Sequence, residues 1–300
     1  RRMADLFQVS AASSDFEEVL PHVDAIVVAT PPSSHASISI AALERGVHVL
    51  CEKPMTASVE DARRLTDAAA QSEAVMSVAM VRRVGRGVEV LKRFLDRGLL
   101  GTIHSVQAEE GGEFNWPLRT GHIFESPAEG GVLRDTGTHI IDLVLWACGG
   151  KAPSLTWYTD DSWGGAEANA QVDFEFERGE QTVRASVEVS FTRNLENRLR
   201  VFGDGGCLES TTSGGVEALF TPAGSTIPIA LKPADALPGS RTDDFIRQLE
   251  IFVAAIRSGA KAPVPAAEAL PIVELIDSCY RGRTRTVLPW QAAPTSGVRS

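Results

Sequence analysis

No stretch of this 300-residue chain reaches the ~18 consecutive apolar residues that a membrane-spanning helix requires. Arg1 and Arg2 are not followed by the apolar core of a signal peptide. The expectation is a soluble, cytoplasmic protein with no membrane partner. Basic residues are also in the minority: 29 Lys and Arg against 39 Asp and Glu give a formal charge of −10. Such a surface repels polyphosphate backbones, which argues against nucleic acid as a partner. The small clusters Arg82, Arg83, Arg86 and Arg281, Arg283, Arg285 extend into no stripe and read as solvated helix ends or anion contacts. Cysteine is scarce. Cys51, Cys148, Cys207 and Cys279 contain no C-x-x-C pair, so neither a zinc site nor a dithiol redox site is supported. Each sits among apolar neighbours, as buried, reduced thiols in a reducing compartment do. Aromatic residues make up only 6%, and no G-x-G-x-x-G phosphate-binding turn occurs anywhere.

What is present is organised by period. Residues 24–30 (DAIVVAT) form a β-branched run of the kind buried on both faces of a parallel sheet. Pro31 and Pro32 interrupt it, residues 36–45 have helical spacing closed by Gly46, and residues 47–51 (VHVLC) make a second buried strand. Strand, helix and parallel strand form a right-handed βαβ unit. A helix capped by Ser58, a strand over 74–79 and a helix over 88–97 continue the alternation. From about residue 103 the period drops to two, in six segments between 103 and 211. One helix (136–148) interrupts these strands and two more (243–257, 266–280) follow them. The expected fold class is α/β plus α+β. A Rossmann-type doubly wound parallel sheet, incomplete at its N-terminus, occupies 1–103. An open, mostly antiparallel sheet with helices on one face occupies 104–300.

Three motifs carry chemistry. Thr30-Pro31-Pro32-x-x-His35 stands at the carboxyl end of a buried strand, where α/β sheets place ligands, and the prolines offer a rigid wall for a flat ring. It also reads as a plain strand-to-helix turn. Glu52-Lys53-Pro54 follows the next strand and puts Lys53 at the same edge, suited to proton handling if desolvated, or else an ordinary loop lysine. Asp135, His139 and Asp142 are spaced i, i+4, i+7 on one helical face, so two carboxylates would raise the basicity of the histidine between them. A helix capped by Asp135 and a core histidine are the competing readings. A metal site lacks a ligand set.

With these motifs in this order, the chain resembles the glucose–fructose oxidoreductase, inositol dehydrogenase and MocA (Gfo/Idh/MocA) family. The similarity also runs through LLGTIHSVQAEEGG, GGVLRDTGTHIIDLVLWACGG, VFGDGGCLES and the last two helices, covering about residues 1–290. It implies NAD or NADP as cofactor and hydride transfer to or from a secondary hydroxyl of a sugar, cyclitol or polyol. Lys53 would polarise the reacting oxygen, His139 would act as acid/base, and Asp135 would bind or orient. Thr30, Pro31, Pro32, His35, Glu52, Lys53, Pro54 and Arg82 would lie on the cofactor side. Asn115, Trp116 and His122, with Asp135 and His139, would face the substrate. The resemblance also implies a strand and a G-x-G-x-x-G turn of ~40 residues ahead of Arg1. Two other readings share these residues: a glycosidase or lyase that recycles its cofactor, and a non-catalytic assembly subunit. An open sheet with one uncovered face leads to the expectation of a homodimer or homotetramer.

Overall fold

In the computed structural model of the chain, the described residues are 6–9, 12–115, 129–162, 166–233 and 241–283. Two sheets organise them. The first is parallel, in the order β1 (Ala25–Val28), β2 (His48–Cys51), β3 (Met76–Val78). Val49, Leu50 and Cys51 of the central strand are all buried, as a strand covered on both faces demands. Val27 of β1 is 55% exposed, and β1 pairs only with β2 among the described residues. Between the strands run α1 (Pro32–Leu43) and α2 (Val59–Gln71). Proline at the first helical position suits α1, because that N–H has no intrahelical acceptor. α2 is capped by the Ser58 hydroxyl, which accepts from the Asp61 backbone N–H at 3.1 Å.

Helix α3 (Arg86–Asp96) leads into β4 (Ile103–Gly111), the first strand of the second sheet. After α4 (Thr138–Cys148) come β5 (Lys151–Asp160), β6 (Asn169–Arg178), β7 (Gln181–Ser190), β8 (Arg198–Gly203), β9 (Gly206–Thr211), β10 (Ala218–Pro222) and β11 (Ile229–Leu231). The sheet order is β11-β10-β9-β8-β4-β7-β6-β5, antiparallel except where β4 runs parallel to β7. Period two has the expected consequence. Ala170, Val172, Phe174 and Phe176, with Val183, Ala185, Val187 and Val189 on the next strand, form one buried face under the helices. Helices α5 (Arg241–Ser258) and α6 (Ala266–Arg281) close the fold. Phe252 of α5 packs on Leu50 and Ala79 of the parallel sheet, and α6 packs against α2 and β5.

Two features depart from the sequence reading: the turn before α4 and the strands β10 and β11. A π-helical turn (Leu133–Gly137) precedes α4, so Asp135 lies inside a widened turn and is not the cap of a regular helix. The sheet is mostly antiparallel, as expected, with β4 and β7 as its parallel pair. Strands β10 and β11 were not anticipated: they are short, lie toward one edge of the sheet, and their runs contain too few alternating apolar positions to stand out.

All four cysteines are free thiols. Cys207 is only half-buried, against expectation, because it sits on β9 where the sheet thins toward its edge. Burial pushes the thiols of Cys51, Cys148 and Cys279 up to about 12. Above the ordinary thiol value near ~8.5 the unfolded chain releases protons that the fold retains, so stability is full below that pH and falls as pH rises toward the folded values. Urea midpoints are therefore expected to decline between about pH 9 and 11, and a triple Cys→Ala variant to show a shallower decline. An identical slope in that variant would remove the thiols as the cause.

Candidate active site

Lys53 leaves the end of β2 into a loop whose Lys53–Pro54 peptide bond is cis. Its Nζ donates to the Asp135 carbonyl oxygen at 3.1 Å and forms an ion pair with the Asp135 carboxylate. A bond therefore joins the edge of the parallel sheet to the π-helical turn that opens α4. His139, 7% exposed, follows one turn later. Lys53, Asp135, Thr136 and His139 line one cavity of about 410 Å³ together with Glu52 and Arg82. The opposite wall comes from the second sheet, with Glu110 to Phe114 at the end of β4 and Asn197 ahead of β8.

This arrangement brings together six of the residues singled out in sequence: Glu52, Lys53, Arg82, Asp135 and His139 on the walls, with Pro54 buried behind Lys53. His35, 1% exposed, is not among the residues that line this cavity. Its Nδ1 lies 3.0 Å from the Pro54 carbonyl oxygen and its Nε2 2.7 Å from that of Thr30, so it ties the two strand-end loops to each other. Thr30 and Pro31 are exposed at that edge, with Pro32 half-buried behind them. Asn115 is exposed and outside the cavity lining. Trp116 and His122 lie outside the described residues.

The expected pair of carboxylates around His139 needs correction. Asp142 is fully buried, and Arg83 donates three hydrogen bonds to it at 2.7 to 3.2 Å from Nε and Nη2. Glu268 takes the remaining guanidinium nitrogen at 2.6 Å. Burial opposes the charge on Arg83, but the Asp142 and Glu268 carboxylates more than offset it and raise its pKa. Burial likewise pushes the Asp142 carboxyl up, against the pull of Arg83. With three hydrogen bonds from a guanidinium that does not surrender its proton, the Asp142 carboxyl is consumed holding α4 to the turn at residues 81–84. One turn of helix separates a position facing the cavity from one facing the core, and spacing alone does not distinguish them.

Several lining groups escaped the sequence reading. Glu110 pairs with Arg82, which is itself buried in the wall. The acidic run Glu109-Glu110 followed by two glycines was the available signal, since a strand ending in acids beside backbone with no side chain leaves room for a ligand. Gly111 is required there: a Cβ would come within 2.6 Å of the Arg193 carbonyl oxygen. The Gly111 N–H is accepted by Asn197 Oδ1 at 2.7 Å, an asparagine in the left-handed region with φ of 57°. Phe114 packs edge-on against Phe191 with centroids 5.1 Å apart. Neither Asn197 nor this pair belonged to a motif.

A parallel βαβ edge, a lysine delivered by its second strand and the helical segment that carries Asp135 and His139 are now joined in one cavity. Residues 1–80 match the model of an oxidoreductase family with an NAD-binding Rossmann fold, and residues 88–209 match the C-terminal domain of the same GFO/IDH/MocA family. The chain belongs to the Gfo/Idh/MocA oxidoreductase family. NAD is therefore the cofactor class of its nucleotide domain. A levoglucosan dehydrogenase of Pseudarthrobacter phenanthrenivorans is 29% identical over 61% of this chain, a match spanning 48% of that relative. A D-xylose 1-dehydrogenase (NADP(+)) of Haloferax volcanii is 26% identical over 93% of this chain and 84% of its own length. In three dimensions, levoglucosan dehydrogenase in complex with NADH and levoglucosan superimposes with a TM-score of 0.82 at 22% identity, covering 93% of this chain and 84% of that one. That likeness establishes the fold. No helix among the described residues is long and apolar enough to cross a membrane, and no cluster of metal-ligating side chains occurs among them.

Proposed function

We propose that this Gfo/Idh/MocA protein is an NAD(P)-dependent dehydrogenase acting on a secondary hydroxyl of a sugar, cyclitol or related polyol. The observation that carries this reading is the convergence of Lys53 from the parallel sheet with Asp135 and His139 from the α4 turn on one cavity. The donor set fits a nicotinamide at the strand ends: exposed Thr30 and Pro31 provide an edge and a rigid face there, with Glu52 and Lys53 one strand over. When bound, the cofactor accepts or delivers the hydride. His139 takes the substrate's hydroxyl proton on its imidazole as the hydride leaves. Lys53 Nζ donates to the substrate oxygen as negative charge develops there, and Asp135 holds the ammonium in place. The wall acids Glu110 and Glu113 accept hydrogen bonds from further hydroxyls. Relatives named for levoglucosan, D-xylose and myo-inositol support a neutral polyol as substrate class.

The test is absorbance at the reduced-nicotinamide band with NAD and NADP against a polyol panel that includes those three compounds. Appearance of the band with one or more supports the reading. No band with any of them, in a protein shown to bind the cofactor, overturns it. We further infer a cytoplasmic location, which the free thiols support, and a homodimer or homotetramer. The second sheet's outer face supports the assembly: it carries Trp157, 47% exposed, beside the Glu175–Arg184 pair. Light scattering coupled to size exclusion is expected to give twice or four times the 32.1 kDa chain mass. A single-chain mass at every concentration would defeat this assembly.

A further inference from the structure

We infer that Glu167, which lies outside the cavity lining, is a positioning residue that sets the π-helical turn and with it the Lys53–Asp135 pair. This inference rests on the dehydrogenase reading for its kinetic arm only. Glu167 precedes β6 and is 1% exposed, an uncommon setting for a carboxylate. Its Oε1 accepts the backbone N–H of Leu133, the first residue of the turn, at 3.0 Å. Its own carbonyl oxygen accepts the Val132 N–H at 2.9 Å. Two successive N–H groups of the turn's entry are thus held by one residue, just ahead of β6. The approach is so close that a Cβ on Gly131, itself at φ of 99°, would overlap the carboxylate. Glycine at this position and glutamate at 167 are therefore sterically matched.

The carboxylate is held in turn. The Tyr280 hydroxyl donates to Oε1 at 2.8 Å, and Arg283 donates to Oε2 at 3.0 Å while pairing with Asp160 at 2.6 Å. Arg134, also in the turn, lies 5.1 Å over the Tyr280 ring and donates to the Ala57 carbonyl oxygen at 3.0 Å. Ala57 belongs to the same loop as Lys53, so the clasp reaches both ends of the Lys53–Asp135 bond. A turn wound wider than an α-helix sacrifices regular i→i+4 bonding, and such turns persist when neighbouring groups fix them. Glu167 is the residue that accepts at its start. A shift of about 1 Å in Asp135 would misplace Lys53 by a similar amount, an error that costs rate on the order of 100-fold without weakening binding.

The experiment compares three variants for kcat, KM, circular dichroism and the rate at which acetic anhydride acylates Lys53, read by mass spectrometry. Glu167→Gln keeps a carbonyl acceptor at the same reach for the Leu133 N–H and loses the charge. Glu167→Asp keeps the charge but draws the acceptor back by one methylene. Glu167→Leu removes both. We expect Gln to stay within about 3-fold of wild type in kcat, Asp to lose about 10-fold and Leu about 100-fold, with KM little changed. Lys53 acylation should speed up in the order Gln, Asp, Leu as its bond to Asp135 loosens. Should Leu fail to fold, the Gln-against-Asp order still decides. Asp equal to or better than Gln in both kcat and Lys53 protection would overturn the inference and assign Glu167 to pairing with Arg283. Should wild type show no turnover, the dehydrogenase reading fails on its own, and the acylation series still tests the clasp.

Discussion

Replacing Lys53 with Met is expected to lower kcat by about 10²–10³-fold, the usual consequence of removing one donor aimed at a developing oxyanion. Methionine keeps the length and apolar stem of lysine, so the loop around the buried Pro54 is retained. What disappears is the ammonium bonded to the Asp135 carboxylate and carbonyl. The Asp135 carboxylate then faces the cavity without its counter-charge and repels any negative charge forming on the substrate oxygen, which adds to the loss. Binding of the oxidised cofactor should change little, because Thr30 and Pro31 at the adjoining strand end are untouched. Steady-state rates and cofactor titration by fluorescence separate the two effects. The parallel variant His139→Ala is expected to lose about 10²–10⁴-fold, with the alkaline limb of the rate recovering part of the loss as hydroxide takes over the proton. Wild-type rates in either variant would show that the residue has no part in the chemistry.

Asp142→Ala is expected to destabilise the protein by about 3–5 kcal/mol, because it leaves the Arg83 guanidinium buried with only the half-exposed Glu268 to answer it. Truncation also opens space beside Trp146, whose ring lies 5.8 Å from the Arg83 cation. Urea unfolding, with the slope unchanged and the midpoint lowered, is the measurement. The paired replacement Arg83→Met with Asp142→Leu removes both charges and fills similar volume, and it is expected to recover most of the loss. A double variant no better than Asp142→Ala would mean that α4 needs the ion pair for its packing geometry. The same two variants separate stability from catalysis, since neither residue lines the cavity that holds Lys53 and His139.

The parallel half of the fold was legible because its signals are local. The run at 24–30, the glycine at 46 and the strand at 47–51 each follow from β-branching, a left-handed stop and a short connection. Lys53 was legible for the same reason, since a residue directly after a buried parallel strand has only one edge to occupy. The helix that carries His139 was readable as a helix, but the grouping of Asp142 with His139 was not what the fold made of it. Asp135, His139 and Asp142 share spacing, yet Arg83 claims Asp142 from a turn nearly sixty residues earlier in the chain, and nothing at positions 135–142 records that competition. Asn197 could not be read as a lining residue, because it meets the cavity wall through the backbone N–H of Gly111, a residue of a distant strand.

The pairing of β4 has a consequence for the birth of the molecule. β4 lies in the interior of the large sheet, between β7 and β8, and Ser105 finds Arg184 on one side and Phe202 on the other. Both neighbours are translated long after β4 itself, and nothing earlier among the described residues pairs with it. On the ribosome, the strand that ends in Glu110 and Gly111 therefore waits with both backbone edges open until the β6–β7 hairpin emerges to dock. Non-local pairing of this kind makes folding slow and leaves the nascent chain exposed to mispairing in the meantime. The cavity wall contributed by β4 is among the last parts to be completed. The parallel half can assemble while the chain is still being made, but its lysine waits for a partner, Asp135, that is translated more than eighty residues later.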